Sequence, residues 1–277
     1  QGRNTAPCLA LAARFISLQE EDAVMIALPA DHYIKDNDGF VKVLKLACKG
    51  ALDHDALVTI GIVPDKPETG YGYIQYAKSD QDSSLEGLHR VLRFVEKPDF
   101  ETAQHYVDEG TYLWNSGMII FHVHTFMESL KLRMKDLFND VSEIRSVLKP
   151  EELKQEIFKM YKKTEKISID YGLLEKADNI LVAKGDFGWD DIGSFASIER
   201  HHNRDSMNNV CIGDAALLDC QDCTIVSEDG MIGVIGLRDI IVVRSGNAVI
   251  VLPKDRAQDV KKVVGQIKDR GLGRRYL

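Results

Sequence analysis

Two short apolar runs, residues 23–28 and 57–63, bracket a stretch with helical periodicity, and this alternation restricts the fold more than any other feature of the chain. Runs without polar alternation suit strands covered on both faces. Between them, residues 38–52 repeat Phe40, Val41, Leu44 and Ala47 on one side, as an amphipathic helix does. Strand, helix and strand in succession predict a βαβ unit, and hence a mixed, mainly parallel sheet with helices on its faces.

The same punctuation continues along the chain. Thr5 can cap a helix with Pro7 in its first turn, running to residue 19. Further strands are expected at 73–78, 88–95, 114–123 and 180–183. Helices are expected at 100–109, over 126–161 with a break at Pro150, and at 169–176. Past residue 209 the texture changes to short Val/Ile segments separated by Gly, Asp and Asn, the pattern of a small all-β unit, either a sandwich fragment or coils of a β-helix. An amphipathic helix over 255–269, carrying Val260, Val263, Val264 and Ile267, closes the chain. The expected organisation is an α/β domain over residues 1–204 and a small β domain with a terminal helix over 205–277.

A net charge of −8 argues against non-specific nucleic-acid binding. No apolar run approaches the ~20 residues that span a bilayer. Five cysteines form no regular framework, which suits reduced thiols in a cytoplasm. Cys220 and Cys223 make a lone CxxC. Zinc would need two more ligands, so small buried thiols are the better reading.

Three segments end in groups able to carry chemistry. Arg93-Phe94-Val95-Glu96-Lys97-Pro98 sets an anion beside a cation where a strand is stopped by proline. Pro29-Ala30-Asp31-His32 and Gly188-Trp189-Asp190-Asp191-Ile192-Gly193-Ser194 end other segments in carboxylates. Ligands of α/β sheets gather at such strand ends. Carboxylates aimed at one site repel unless a cation lies between them, and magnesium completed by phosphate oxygens is the usual resolution. Asp31 reads equally as a turn cap, and one of Asp190 and Asp191 as a helix cap. Lys97 suits a phosphate, or else a surface ion pair with Glu96 or Glu101. Gly70-Tyr71-Gly72-Tyr73 allows close approach of a ligand to the main chain, or is a hairpin turn. Trp114-Asn115-Ser116-Gly117 suits sugar hydroxyls, or a β-bulge. His201-His202 reads as a solvated helix end.

Taken together the chain resembles the mannose-1-phosphate guanylyltransferase family of sugar-nucleotide pyrophosphorylases. The resemblance rests on Gly2-Arg3-Asn4-Thr5-Ala6-Pro7, Pro29-Ala30-Asp31-His32, Glu68-Thr69-Gly70-Tyr71-Gly72-Tyr73-Ile74, Phe94-Val95-Glu96-Lys97-Pro98, Trp114-Asn115-Ser116-Gly117-Met118, Ser168-Ile169-Asp170-Tyr171 and Trp189-Asp190-Asp191-Ile192-Gly193-Ser194. These follow the family's order along almost the whole chain.

The resemblance implies a Rossmann-like α/β fold with a C-terminal β-helix-like domain. It also implies transfer of GMP from GTP to α-D-mannose 1-phosphate, giving GDP-mannose and pyrophosphate. Asp31 and Asp191 would hold Mg2+, and Lys97 the sugar phosphate. Gly72, Glu96 and Asn115 would contact mannose with Asp170 beside it, and Gly2 and Arg3 would meet the guanine. A homodimer through the C-terminal domain is implied too. The family's glycine-rich triphosphate loop should precede the guanine segment by roughly two βα units of ~30 residues each. The expectation is therefore that this chain alone is inactive although its parent is active, and that it is monofunctional, with no residues for an isomerase domain. The competing expectations are a non-catalytic sugar-nucleotide-binding regulatory subunit and a pyrophosphorylase for another sugar or base.

Overall fold

The computed structural model describes residues 2–78, 85, 87–144, 149–193 and 195–276. Two compact units divide the chain, Gln1–Trp189 and Asp190–Leu277. In chain order the elements are α1 (Thr5–Ser17), β1 (Val24–Ala27), β2 (Tyr33–Ile34), α2 (Asn37–Asp53), β3 (Leu57–Ile62), β4 (Tyr73–Tyr76), β5 (Leu88–Val95), α3 (Phe100–Glu109), β6 (Tyr112–His122), α4 (Val123–Arg133), α5 (Lys135–Ser142), α6 (Pro150–Lys163), α7 (Ile169–Gly172), β7 (Ile180–Gly185) and β8 (Trp189–Asp190). They continue with α8 (Phe195–Arg200), β9 (Val210–Ile212), β10 (Ala215–Leu218), β11 (Thr224–Ser227), β12 (Ile232–Ile235), β13 (Ile240–Ser245), β14 (Ala248–Pro253), α9 (Val260–Asp269) and α10 (Gly273–Tyr276).

The first unit is built on a mixed sheet ordered β1-β6-β3-β7-β5-β4, with β4 also pairing back to β6. Among the described pairings of this sheet only β3–β7 is parallel; β6 runs antiparallel to β1, β3 and β4, and β5 antiparallel to β4 and β7, so the sheet is mixed but not mainly parallel as the strand–helix–strand pattern predicted. The predicted crossover through α2 therefore yields co-directional strands β1 and β3 that are not neighbours, because β6 inserts between them. Every residue of β3 is buried, as a run without polar alternation requires. Its side chains divide between two faces. Val58, Ile60 and Ile62 enter the core that includes Ala47 and Ala51 of α2. Leu57 joins Ile119 and Phe121 in the core beneath α1, α4 and α5. Small residues bring α2 close to the sheet: a Cβ on Gly50 would stand 2.2 Å from Leu88 Cδ1.

Three local features differ from the sequence reading. Asn4, not Thr5, caps α1, its Oδ1 accepting the Thr5 N–H at 2.9 Å. The helical stretch after residue 123 breaks at Met134, whose φ of −134° and ψ of 56° are not helical, and Pro150 starts α6 instead of ending a helix. The closing helix begins as a 3-10 segment, Lys254–Asp259, with Arg256 off helical geometry, and only α9 is α-helical over the predicted span. Among the described residues no helix is long and apolar enough to cross a membrane.

In the second unit, β9, β11 and β13 stack in parallel and β10 pairs in parallel with β12, while β14 returns antiparallel to β13. This is β-helix geometry. Its core holds Cys220, Cys223, Ile225, Val234 and Val242. Both thiols are buried and unbridged, and they donate to the carbonyls of Val234 and Leu237, each at 3.3 Å.

Candidate active site

The motif segments of the first unit meet at one edge of its sheet. The turns after β1 and β3, both carboxyl ends of co-directional strands, lie there with the start of β6. Asn115 sits opposite Gly61 and Trp114 opposite Ile62 in the register of β6 against β3. The main chain of Gly72 joins them, its carbonyl accepting the Asn115 N–H at 2.8 Å.

One branch of contacts runs from Asn115 to the chain's first motif. Asn115 Nδ2 donates to Asp170 Oδ1 at 2.9 Å, and Gly117 N donates to Asn115 Oδ1 at 3.1 Å. Asp170 lies in the first turn of α7, whose cap Ser168 accepts the Tyr171 N–H. The Thr5 hydroxyl accepts the Ile169 N–H at 2.8 Å, and the Ile167 N–H donates to the Arg3 carbonyl at 3.2 Å. Gly2 is exposed beside this seam. Arg3 itself turns to the carboxyl end of α6, donating to the carbonyls of Tyr161 and Lys162 at 2.7 and 3.0 Å. A helix C-terminus welcomes that cation.

A second branch is aromatic. Tyr71 packs edge-on against both Trp114 and Trp189, with ring centroids 5.1 and 5.2 Å away. Trp189 in turn donates its indole N–H to His32 Nδ1 at 2.9 Å. Next to His32, Asp31 is exposed. These contacts tie the turn after β7 to the turn after β1.

Glu96 completes the cluster. A Cβ on Gly72 would come within 2.9 Å of Glu96 Oε1, so glycine leaves the space the carboxylate uses. Burial pushes the Glu96 carboxyl above its ordinary range, the nearby Asp170 and Glu175 carboxylates add to this, and Lys97 works against it. Glu175 is raised too, first by burial and then by Asp170. Sequence reasoning missed Glu175; its spacing from Asp170, just past the short α7, was the available signal. Lys97 is exposed, and its φ of 43° is left-handed, a conformation that costs a non-glycine residue energy and recurs at functional sites. Among the described residues Lys97 has no hydrogen bond or ion pair, so the surface bridge to Glu96 or Glu101 does not form.

In the second unit the two adjacent aspartates behave differently. Asp190 is buried and accepts from Arg200 Nε at 2.9 Å, from the Ile192 N–H at 3.1 Å and from His201 Nε2 at 3.0 Å. Burial alone would raise its carboxyl, yet those donors hold it below its usual range. His201 is therefore an anchoring partner, not a solvated helix end. Asp191 is half-buried, and its Oδ1 accepts the Gly193 N–H at 2.9 Å. Ser194, the last residue of that motif, lies outside the described residues.

No group of three or more His, Cys, Asp or Glu side chains is placed to hold a metal among the described residues. Magnesium bound with phosphates needs only one or two protein carboxylates, its other positions going to phosphate oxygens and water. Asp31, an exposed oxygen donor at a strand's end, fits that mode and no all-protein cage.

Fold and site define an α/β protein with an acceptor-rich cluster at the carboxyl edge of its sheet, followed by a short β-helix. The chain belongs to the nucleotidyl transferase family: residues 1–208 match the family model described as Nucleotidyl transferase, and residues 213–267 match that described as MannoseP isomerase/GMP-like beta-helix domain. It is 39% identical over 272 residues to the mannose-1-phosphate guanylyltransferase of Salmonella montevideo, covering 96% of this chain and 56% of that protein. It is 37% identical over 272 residues to the alginate biosynthesis protein AlgA of Pseudomonas aeruginosa, covering 98% of this chain and 56% of that one. The chain thus spans little more than half the length of these curated relatives. A crystal structure described as mannose-1-phosphate geranyltransferase from Thermus thermophilus superposes with a TM-score of 0.83 at 30% identity, covering 97% of this chain and 76% of that chain.

Proposed function

We propose that the protein to which this chain belongs transfers GMP from GTP to α-D-mannose 1-phosphate, releasing pyrophosphate and forming GDP-mannose. The observation that carries the reading is the clustering of Gly72, Glu96, Asn115 and Asp170, hydrogen-bonded through Asn115 to Gly72 and Asp170 and with Glu96 in the space over Gly72, with the Gly2–Pro7 segment stitched to α7 behind them. The names of the relatives favour mannose and guanosine over other sugars and bases.

In this reading Glu96 and Asn115 take mannose hydroxyls in the space above Gly72, and Lys97 takes the sugar phosphate. Gly2 and the main chain around it meet the guanine, since the Arg3 guanidinium is engaged with α6. A phosphate oxygen of the sugar phosphate attacks the α-phosphorus of GTP in line. The bond from that phosphorus to the bridging oxygen breaks, and pyrophosphate leaves with the electron pair. The acceptor is already anionic, so no protein nucleophile or base is needed, and the side chains work by alignment and charge. Asp31 and Asp191 would each offer a carboxylate to magnesium, and the ion would neutralise phosphate charge when bound. A homodimer through the second unit and a cytoplasmic setting belong to the same proposal.

Calorimetric titration with mannose 1-phosphate, glucose 1-phosphate, GDP-mannose and UDP-glucose tests it. Binding of the two mannosyl ligands, lost in Glu96→Ala, is expected. Equal affinity for the glucosyl ligands, or no binding of any sugar phosphate, would overturn it.

A further inference from the structure

Asn115 has two amide hydrogens and a carbonyl oxygen that accepts two hydrogen bonds. The structure fixes which end is which. Gly117 offers a backbone N–H at 3.1 Å from Oδ1, and Asp170 offers a carboxylate oxygen at 2.9 Å from Nδ2. Turning the amide over would face donor with donor at Gly117 and acceptor with acceptor at Asp170. Each anchor sits in a secondary-structure element, Gly117 in β6 and Asp170 in α7. Gly117 has a left-handed φ of 68°, which only glycine adopts without cost, and Asp170 is carried on a helical turn held at Ser168 and by the Thr5 hydroxyl. With these two bonds made, the side chain retains one N–H and one lone pair. The Glu96 carboxylate, over Gly72, supplies acceptors nearby.

We propose that Asp170 is a positioning residue: by fixing the Asn115 amide it sets a single N–H donor beside the Glu96 acceptors, a pattern complementary to neighbouring hydroxyls of a sugar ring. This deepens the sugar-binding reading above and rests on it. Asp170 acts through Asn115 and not by touching the ligand.

The test has two arms. In the ligand-free chain, the Asn115 side-chain amide, assigned in 15N NMR spectra with the help of Asn115→Ala, is expected to exchange with solvent about tenfold faster in Asp170→Ala than in the wild type. Asp170→Asn keeps a carbonyl oxygen for Asn115 Nδ2 and is expected to recover most of that protection. In the second arm, mannose 1-phosphate affinity is expected to fall about tenfold in Asp170→Ala, with most of the loss recovered in Asp170→Asn. Unchanged amide exchange in Asp170→Ala would overturn the proposal. So would equal losses of affinity in the two variants, because the carboxylate charge would then be meeting the ligand itself. A wild type without affinity for mannose 1-phosphate sinks the sugar reading, while the exchange arm still decides whether Asp170 positions Asn115.

Discussion

The indole N–H of Trp189 donates to Nδ1 of His32 across 2.9 Å, joining residues 157 positions apart in the chain. Because Nδ1 accepts, the neutral imidazole carries its proton on Nε2. The bond holds the turn after β7 against the turn after β1, and Tyr71, packed on the same indole, brings in the loop after β3. Three loops that carry chemistry-bearing residues are thereby fixed by aromatic contacts beneath the polar groups. Contacts of this kind, made before a ligand arrives, lower the ordering cost of binding.

Gly72→Ala tests the space above that edge. A methyl group there would stand 2.9 Å from Glu96 Oε1 and 3.5 Å from Asn115 Cβ, so the carboxylate must move. Alanine tolerates this backbone, so stability should change by less than about 1 kcal/mol. Mannose 1-phosphate affinity should fall by about tenfold or more, read by calorimetry beside a urea titration.

How much of this was written in the chain depends on the range of the forces involved. Strand β3 was legible because burial on both faces leaves a local mark, whereas β1 is an edge strand whose Ile26 is exposed despite its apolar run, and the insertion of β6 between the two depends on long-range pairing that periodicity does not encode. The β-helix announced its turns through residues suited to left-handed backbone, among them Gly213, Asp219, Asp222, Gly230 and Asp239. Its period was hidden because the stacked residues Val210, Thr224 and Ile241 are 14 and then 17 residues apart. Glu96 stood out as an acid directly after the Phe94-Val95 end of β5, and Asn115 as a polar group within the largely apolar β6. The roles of Arg3 and Asp190 did not, since the carbonyls and cations that engage them come from segments with no motif of their own.

Glu96→Gln should separate stability from binding. The folded-state carboxyl of Glu96 is raised, so the protein's proton affinity there exceeds that of the unfolded chain. Stability associated with the protonated form is present below the unfolded Glu value of about 4.3 and is lost as pH rises through the raised folded value. Glutamine does not ionise and avoids that loss. The variant should therefore match the wild type near pH 4 and exceed it at pH 7 by on the order of 1 kcal/mol, about 2–4 °C in melting temperature. Its affinity for mannose 1-phosphate should nonetheless drop. Equal melting temperatures across that range would show that neither the burial of Glu96 nor its crowding by Asp170 and Glu175 is felt.

Asp190 gives the opposite sign. Its carboxyl is held below the usual range by Arg200, the Ile192 N–H and His201, so its contribution is present above the unfolded Asp value of about 3.9 and is lost as pH falls through the depressed folded value. Asp190→Asn, which takes the charge from a carboxylate that is only 8% exposed, should cost about 2–3 kcal/mol at pH 7. The deficit should shrink as the pH is lowered below about 4, measured by urea unfolding in matched buffers. A deficit that stays constant down to pH 2 would mean that shape and not charge holds this corner.

Lys97 combines charge with an unfavourable backbone, and two substitutions pull these apart. At φ 43° a side chain with a Cβ pays about 1–2 kcal/mol that glycine does not. Lys97→Gly and Lys97→Ala both remove the ammonium, but only the first relieves the conformation. Lys97→Gly should therefore unfold at higher denaturant than Lys97→Ala, by an amount equivalent to about 1 kcal/mol, and should equal or exceed the wild type. If the lysine serves the sugar phosphate, both variants should lose affinity for mannose 1-phosphate by a similar factor of about ten or more, while affinity for mannose itself, which has no phosphate, should be unaffected. The strained backbone then has a reason: β5 ends at Val95, and the left-handed turn at Lys97, just before Pro98, leaves the ammonium exposed and without an ion pair among the described residues. Equal stabilities of the glycine and alanine variants would remove the strain from this account, and an undiminished phosphate affinity in both would remove the lysine.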